Sequence, residues 1–468
     1  MKWLMITLLV CICSNIQAQN IDARLTAAIK GLENDAQFKH AILSMYVVDS
    51  KTGKVIFDRN AQIGLAPASC QKVVTSVSAF ELLGKEYKYK TDIGYSGKIV
   101  DTLITGDIHI VGYGDPTLGS WRYNSTTPEG FFTAMTQFLR KKNIRSFKSI
   151  VVDDTKWGSQ SIPDGWVWED IGNYYGAGAS SFNWNENQYS IILQSGQKVG
   201  DKVKVVSSDL GRYHKWINEL KTAERGTGDN AYIYLGSNSK LNVLRGTIPL
   251  SEKTFTISGA QQNGFNLFVN DFRERALKIN LDYSFIEVDG ETNFISHLPR
   301  EIGFDSLLYT YYSPTLDSIN YWFLKKSVNL YGEAFVKTIA YEKTKSGSTD
   351  TGIAIIKDFW NKNGIEKSAL NIIDGSGLSP ANRVTTNALV TVMQYAQKQK
   401  WFASFYYDLP EINGIKMKDG YINGVRSYTG YVKSRSGEEY TFSFIVNNFD
   451  GNPGTVREKM WKVLDILK

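Results

Sequence analysis

Ser69-Cys70-Gln71-Lys72 stands near the N-terminus of the chain, whereas Ser327-Val328-Asn329 and Lys418-Asp419-Gly420 stand in its last third. The segment between them, from about 94 to 300, has a different character, so a fold that unites the three motifs must be discontinuous in sequence. A lysine three residues after a serine on a helix lies about one turn away on the same face. A free serine hydroxyl is a weak nucleophile and needs a base. A Ser-x-x-Lys opening a helix, a Ser-x-Asn between helices and a Lys-x-Gly on an edge strand are together the parts of a serine acyl-transfer site whose base is lysine, not histidine.

Local patterns place each motif. AILSMYVVDS and KVIFDRN in 41–59 read as a hairpin turning at Lys51-Thr52-Gly53. Leu65-Ala66-Pro67-Ala68 leads into a helix with apolar residues at Val73, Val74, Val77, Phe80 and Leu83 and a stop at Gly84, which puts Ser69 at the helix N-terminus. The 94–300 stretch, rich in Gly, aromatics and short strand-like runs, reads as β-dominated. Helices return at LDSINYWFLKK, NLYGEAFVKTIAYEK and NALVTVMQYAQKQ, with Ser327 and Asn329 at the junction of the first two. The C-terminal part reads as three strands and a closing helix near REKMWKVLDILK. Alternation at Tyr440, Phe442, Phe444 and Val446 predicts a half-buried strand.

The first residues fit a secretory signal of 1–18: Lys2, an apolar run from Trp3 to Cys13 too short to span a bilayer, and small or polar residues from Ser14 to Ala18. Removal of Cys11 and Cys13 leaves Cys70 as the one cysteine, so no intramolecular disulfide is expected. No other run is long enough for a membrane span. A net charge of +6 without a basic cluster argues against nucleic acid as a partner and fits a solvated surface, or attraction to an anionic wall polymer. His40, His109, His214 and His297 lack metal-ligand spacing and are read as structural, so no metal and no cofactor are expected.

Each triplet alone is weak. Ser195–Lys198 and Ser237–Lys240 are also Ser-x-x-Lys, Ser181-Phe182-Asn183 is also Ser-x-Asn, and Lys51-Thr52-Gly53 is also Lys-x-Gly. Only Ser69 has a proline-containing lead-in and a long helix behind it, only Ser327 lies between two helices, and only Lys418 precedes two C-terminal strands. The plain alternatives are a helix N-cap for Ser69 with a solvated Lys72, a helix-junction cap for Ser327 and Asn329, and a surface strand lysine for Lys418. Cys70 is read as a small buried residue, because Lys72 is spaced to serve Ser69 and no base is spaced to serve Cys70.

PASCQK, GDIHIVGYGDPTL, GWVWEDIGNYYGA, KKSVNLYGE, DGSGLSPANRVTT and GVRSYTGYV, in that order, give the chain its resemblance to the low-molecular-mass class C penicillin-binding proteins, the D-alanyl-D-alanine carboxypeptidase/endopeptidase family. The resemblance implies an α+β fold: a transpeptidase-like serine hydrolase domain, with a five-stranded antiparallel sheet between helices, interrupted by two nested β-rich domains. On this reading 19–93 and 301–468 form the catalytic domain, 94–190 with 243–300 the inserted domain, and 191–242 the nested one. Two departures stand out. Family members carry Thr or Ser where this chain has Asp419, and they have a longer stretch, with a conspicuous Arg, between Leu409-Pro410 and the third motif.

The resemblance also implies roles. Ser69 is the nucleophile, and Lys72 is its base when burial and a neighbouring cation such as Lys418 leave it neutral. Ser327 relays the proton to the departing amine, Asn329 holds Lys72 and the substrate backbone, and the backbone N–H groups of Ser69 and Tyr421 form the oxyanion hole. Asp419 and Gly420 border the substrate, and Asp154 is read either as a carboxylate for the diamino acid of the stem peptide or as a plain turn residue. Peptidoglycan stem peptides are the implied substrates and β-lactams the implied acylating inhibitors. An ionised Asp419 would repel a substrate's terminal carboxylate, and a protonated one would donate to it, which predicts activity rising at low pH. Asp419 and the shortened loop keep two alternatives open: a catalytically impaired wall-binding scaffold, or an esterase or β-lactamase-like hydrolase on the same fold.

Overall fold

The computed structural model describes residues 21–210, 215–235, 241–262, 264–276 and 303–468. The expected signal segment, His214, His297, and parts of the expected inserted and nested domains, including Ser237 and Lys240, lie outside the described residues. The described chain divides into two compact units, one of 21–82, Asn320–Ser327 and Ile353–Lys468, the other of Leu83–Ile319 and Val328–Gly352.

The first unit is built on one antiparallel sheet. Its strands are β1 (Ile42–Asp49), β2 (Val55–Arg59), β3 (Glu411–Ile412), β4 (Ile415–Ile422), β5 (Val425–Lys433) and β6 (Glu439–Asn447), in the order β3-β4-β5-β6-β1-β2. Five are substantial, as expected, and β3 adds a two-residue sixth at the edge. β1 pairs with β6 from Ile42↔Asn447 to Asp49↔Tyr440, which joins the two ends of the chain in one sheet. The decoy Lys51-Thr52-Gly53 is the β1–β2 turn: Asp49 Oδ1 accepts from Thr52 N at 2.7 Å and from Thr52 Oγ1 at 2.6 Å, and Gly53 takes φ +72°.

The two-residue period of β6 sends Tyr440, Phe442, Phe444 and Val446 into a core with Met45, Val47, Met417 and the C-terminal helix residues Val456, Met460 and Val463. The opposite face was expected to be solvated, and it is buried as well. Its side chains are small and hydroxylated, and they find partners: Thr429 with Ser443 at 2.9 Å, Ser44 with Thr386 at 2.7 Å, and Ser50 with Thr441 at 2.8 Å. Buried hydroxyls satisfied in this way cost little and let helices approach closely. Helix Thr386–Gln397 packs there, with Tyr431 Oη donating to Met393 O at 2.7 Å. Helix α1 (Lys72–Leu82) is buried at every residue from Lys72 to Phe80, and Gly84 at φ +89° follows its end.

The second unit holds a sheet of Ser306–Tyr312, Lys90–Tyr95, Ile108–Gly112 and Ile150–Asp153, antiparallel except for the last pair. Its core is aromatic, with Phe131, Phe132, Trp184, Phe268 and Phe272 in mutual ring contact. The segment is strand-rich, but it also carries helices Pro128–Lys141 and Phe265–Ala276 that a β-dominated reading passes over. The first has a complete local signature: Thr127 caps Gly130 N at 3.1 Å, Pro128 opens the helix, and Phe131, Phe132, Met135 and Leu139 line its buried side.

Candidate active site

Pro67 leads into a single 3-10 turn, Ala68–Gln71, that runs directly into α1. Ala68 takes φ +46°, a left-handed conformation that costs an L-residue about 1–2 kcal/mol. Gly377, at φ +81°, lets the Ala68 carbonyl come so close that a Cβ at 377 would lie 2.0 Å from it. The turn therefore presents Ser69 on a strained corner, one turn ahead of Lys72.

Lys72 has no exposed surface. Its Nζ donates to Ser69 Oγ at 3.0 Å and to the Ser376 carbonyl at 2.8 Å, and it stands 5.7 Å from the centre of the Phe323 ring. The Ser376 carbonyl is held by a loop organised around buried Asp374. Asp374 Oδ1 accepts from Gly377 N at 2.8 Å and Asn382 Nδ2 at 2.9 Å, and its Oδ2 accepts from Ser379 N at 2.7 Å. Gln71 Nε2 donates to the Asp374 carbonyl at 2.6 Å, and Thr75 Oγ1 donates to Gly375 O at 2.6 Å, fastening the loop to α1. Ser376, Asp374 and Phe323 carry no assignment in the motif reading. The available signal is the Asp-Gly-Ser-Gly run followed by Asn382, a turn-forming composition.

Cys70 points the other way. It is fully buried, its thiol donates to Lys418 O at 3.1 Å, and burial pushes it up to about 11 despite hydrogen bonding from Ser427 and the charge of Lys418. Such a thiol is inert at neutral pH.

β4 brings the third motif against the turn. Gly420 is required by space: a Cβ there would lie 2.8 Å from Ser69 N, 2.8 Å from Pro67 O and 2.3 Å from Ser427 Oγ. β3 pairs with β4 only at Ile415 and Lys416, so among the described residues no strand covers the outer edge of β4 beyond Met417. Met417 N donates outward, to Pro410 O at 3.0 Å. In an antiparallel pair the backbone groups alternate in direction with period two, which turns those of Asp419 and Tyr421 outward as well. The outer edge thus presents backbone donors and acceptors beside Ser69 N, the Asp419 carbonyl among them already accepting from Lys418 Nζ at 2.8 Å, along which a peptide strand can be added.

Lys418 is buried, and its Nζ does not reach outward as a bare charge. It donates to Asp419 O at 2.8 Å and to Asp419 Oδ1 at 3.0 Å. The Asp419 side chain is 38% exposed. Burial alone would raise its carboxyl, but the Lys418 charge and hydrogen bond, with Arg426 nearby, outweigh that and hold it below the ordinary carboxylate range. The low-pH rise in activity expected from a protonated Asp419 is therefore moved below that range.

Ser327 is half-buried and takes φ +57°, a left-handed conformation like that of Ala68. Asn329 belongs to the second unit, where it opens helix Asn329–Thr344 and donates from Nδ2 to Tyr175 O at 2.8 Å. The carbonyl comes from the GWVWEDIGNYYGA stretch. Asp154 also lies in the second unit, half-buried ahead of the short turn Thr155–Trp157. The first unit thus gathers Ser69, Lys72, Lys418, Asp419 and Gly420 around one corner, with Tyr421 next along the strand. Asn329 and Asp154 are placed within the other unit.

A family model described as D-Ala-D-Ala carboxypeptidase 3 (S13) matches residues 25–466. The chain is 24% identical over 459 residues to a D-alanyl-D-alanine carboxypeptidase of an Actinomadura species, covering 92% of this chain and 82% of that protein. It is 22% identical over 419 residues to the D-alanyl-D-alanine carboxypeptidase DacB of Haemophilus influenzae, covering 85% and 83%. Among solved structures, penicillin binding protein 4 (dacB) of Haemophilus influenzae superposes with a TM-score of 0.78 at 19% identity, over 94% of this chain and 97% of that one. The same protein complexed with a β-lactam gives 0.73 at 19% identity, over 95% and 99%. The fold is α+β with antiparallel sheets, like that of penicillin binding protein 4, and no helix among the described residues is long and apolar enough to cross a membrane. With the match running over nearly its whole length, the chain belongs to the D-Ala-D-Ala carboxypeptidase 3 (S13) family.

Proposed function

We propose that this protein is an exported serine D-alanyl-D-alanine carboxypeptidase and endopeptidase that works on peptidoglycan stem peptides through a Ser69 acyl-enzyme. The observation that carries the reading is the 3.0 Å hydrogen bond between Lys72 Nζ and Ser69 Oγ inside a buried corner. In its neutral form Lys72 takes the Ser69 proton as Oγ attacks the carbonyl carbon of the penultimate D-alanine. The Ser376 carbonyl keeps Nζ in place through the transfer. The oxyanion of the tetrahedral intermediate meets the N–H groups of Ser69 and Tyr421, where one donor is typically worth about 3–4 kcal/mol. Ser327 passes the proton to the departing amine, the C–N bond breaks, and Asn329 orients the substrate backbone. Water, activated by Lys72, then attacks the acyl carbonyl and releases Ser69. The substrate lies along the open edge of β4, as an added strand. Asp154 is kept as a carboxylate for the diamino acid. β-Lactams would acylate the same serine.

The Lys418–Asp419 ion pair favours a second reading, a homologue with weakened or lost turnover that still binds the wall. Labelling with a fluorescent penicillin, mapped by mass spectrometry, tests the first reading. One adduct on the Ser69 peptide, absent from Ser69→Ala, is expected. An adduct elsewhere, or none, would remove the acyl-enzyme, and labelling without peptide cleavage would leave the second reading.

A further inference from the structure

Lys325, in the segment Asn320–Ser327, and Lys416, on β4, converge on one atom. Each Nζ lies 3.3 Å from the Leu409 carbonyl oxygen, so the two ammonium groups stand no farther apart than twice that distance. Leu409 caps the C-terminal end of helix Phe402–Asp408. A helix end carries about half a negative charge, which answers part of one lysine's charge but not two. Among the described residues neither lysine has a carboxylate within ion-pair distance. Asp408 and Glu411 act on Lys325 from farther away, Glu411 stands opposite Lys416 in the β3–β4 pairing without closing an ion pair, and the Asp408 carboxylate is buried and engaged by Asn320 Nδ2 at 2.6 Å. Burial, and next the charge of Lys416, hold the Lys325 ammonium below its ordinary value in spite of those acids.

Tyrosine rings rim the pair. Lys325 stands 5.9 Å from the Tyr321 ring, which stacks on Tyr407 at 5.7 Å, and Lys416 stands 5.8 Å from the Tyr406 ring. Tyr407 is 66% exposed. The site also adjoins the proposed substrate track. Lys416 leaves β4 on the same face as Lys418, one two-residue repeat or roughly 7 Å away. Lys418 itself is already neutralised by Asp419.

We propose that Lys325 and Lys416 form an anion subsite beside the edge of β4 that receives a carboxylate of the peptide substrate, in place of a Lys418 whose charge is spent on Asp419. The inference rests on the stem-peptide reading above and deepens it. It makes recognition of the carboxylate a property of the turn at Leu409, where this chain has a short connection into the third motif.

The test is calorimetric, on full-length Ser69→Ala protein with a stem pentapeptide ending in D-alanyl-D-alanine and with its C-terminal amide. The acid is expected to bind at least about tenfold tighter than the amide, and the preference to shrink as salt rises. Replacing both lysines (Lys325→Gln with Lys416→Gln) should erase the preference while leaving amide binding unchanged, and Lys325→Arg with Lys416→Arg should retain most of it. A preference that survives in the glutamine variant, an equal loss for acid and amide, or binding of neither peptide would overturn the subsite. So would a salt-independent preference in the lysine-intact protein, a readout that needs no folded lysine variant. Penicillin labelling reads the acyl-enzyme separately: labelling of Ser69 without a lysine-dependent preference removes the subsite alone, and failure of labelling removes the function on which it rests.

Discussion

Lys418 Nζ lies 3.0 Å from Oδ1 of Asp419, the residue that follows it in sequence. Neighbours on a strand project to opposite faces, so this contact requires the two side chains to meet around the open edge of β4. The consequence is a third motif with no spare positive charge.

Removing the acid should restore that charge. Asp419→Thr is expected to raise kcat/KM on a free-acid D-alanyl-D-alanine pentapeptide by about tenfold or more, with a smaller change on the C-terminal amide. Two like charges ~4 Å apart at an effective dielectric of ~20 repel by ~4 kcal/mol, and pairing with Lys418, together with the pull of Lys325 and Lys416 on the same carboxylate, offsets much of this. Because the Asp419 carboxyl is held below the ordinary carboxylate range, its protonation should not lift wild-type activity between about pH 5 and 8. Equal activities for wild type and variant on both peptides would show that Asp419 does not hinder binding.

Lys72→Arg should abolish acylation and leave the fold intact. Arginine stays protonated in proteins and cannot take the Ser69 proton. Stopped-flow acylation by a chromogenic β-lactam, beside a circular dichroism spectrum, checks both halves. A near-wild-type rate would mean that another group activates Ser69.

Asp115 is buried in the second unit and burial pushes its carboxyl up to about 6, despite hydrogen bonds from Thr117. The neutral form is thus favoured in the folded state. Its stability contribution is fully present below the unfolded value near 4 and is lost as pH rises through about 6. Asp115→Asn, which keeps an acceptor for Thr117, should therefore be near neutral at about pH 4 and more stable than wild type by up to ~3 kcal/mol at about pH 8. Urea unfolding of both proteins at the two pH values measures the difference, and a gap independent of pH refutes it.

Cys70 should resist iodoacetamide at about pH 8 in the native protein and react within minutes after denaturation. Its thiol is fully buried and pushed up to about 11. Stoichiometric alkylation of the native protein would show that the corner beneath β4 opens readily.

Much of this arrangement is legible along the chain, because it rests on local rules. The hairpin of β1 and β2, the helix behind Ser69, the junction at Ser327 and the closing strands follow from period, capping and turn residues near in sequence. The turn Ala68–Gln71 follows Pro67, and the spacing of Ser69 and Lys72 alone puts them on one side of it. The helix Pro128–Lys141 had the same kind of local signature in a segment whose Gly and aromatic content pointed to strands.

What the sequence by itself determined is the order and local setting of the motifs, including the helical spacing that lets Lys72 reach Ser69. What only the tertiary structure decided is what surrounds each group. The second face of β6 is buried because α-helices cover both sides of the sheet, and its hydroxyls pair across strands. The Ser376 carbonyl meets Lys72 although some 300 residues separate them along the chain. Lys325 and Lys416 share one carbonyl only because a helix and an edge strand meet at Leu409. The charge state and reach of a side chain depend on burial and on neighbours distant in sequence, and those are fixed when the chain packs, not by the spacing of its residues.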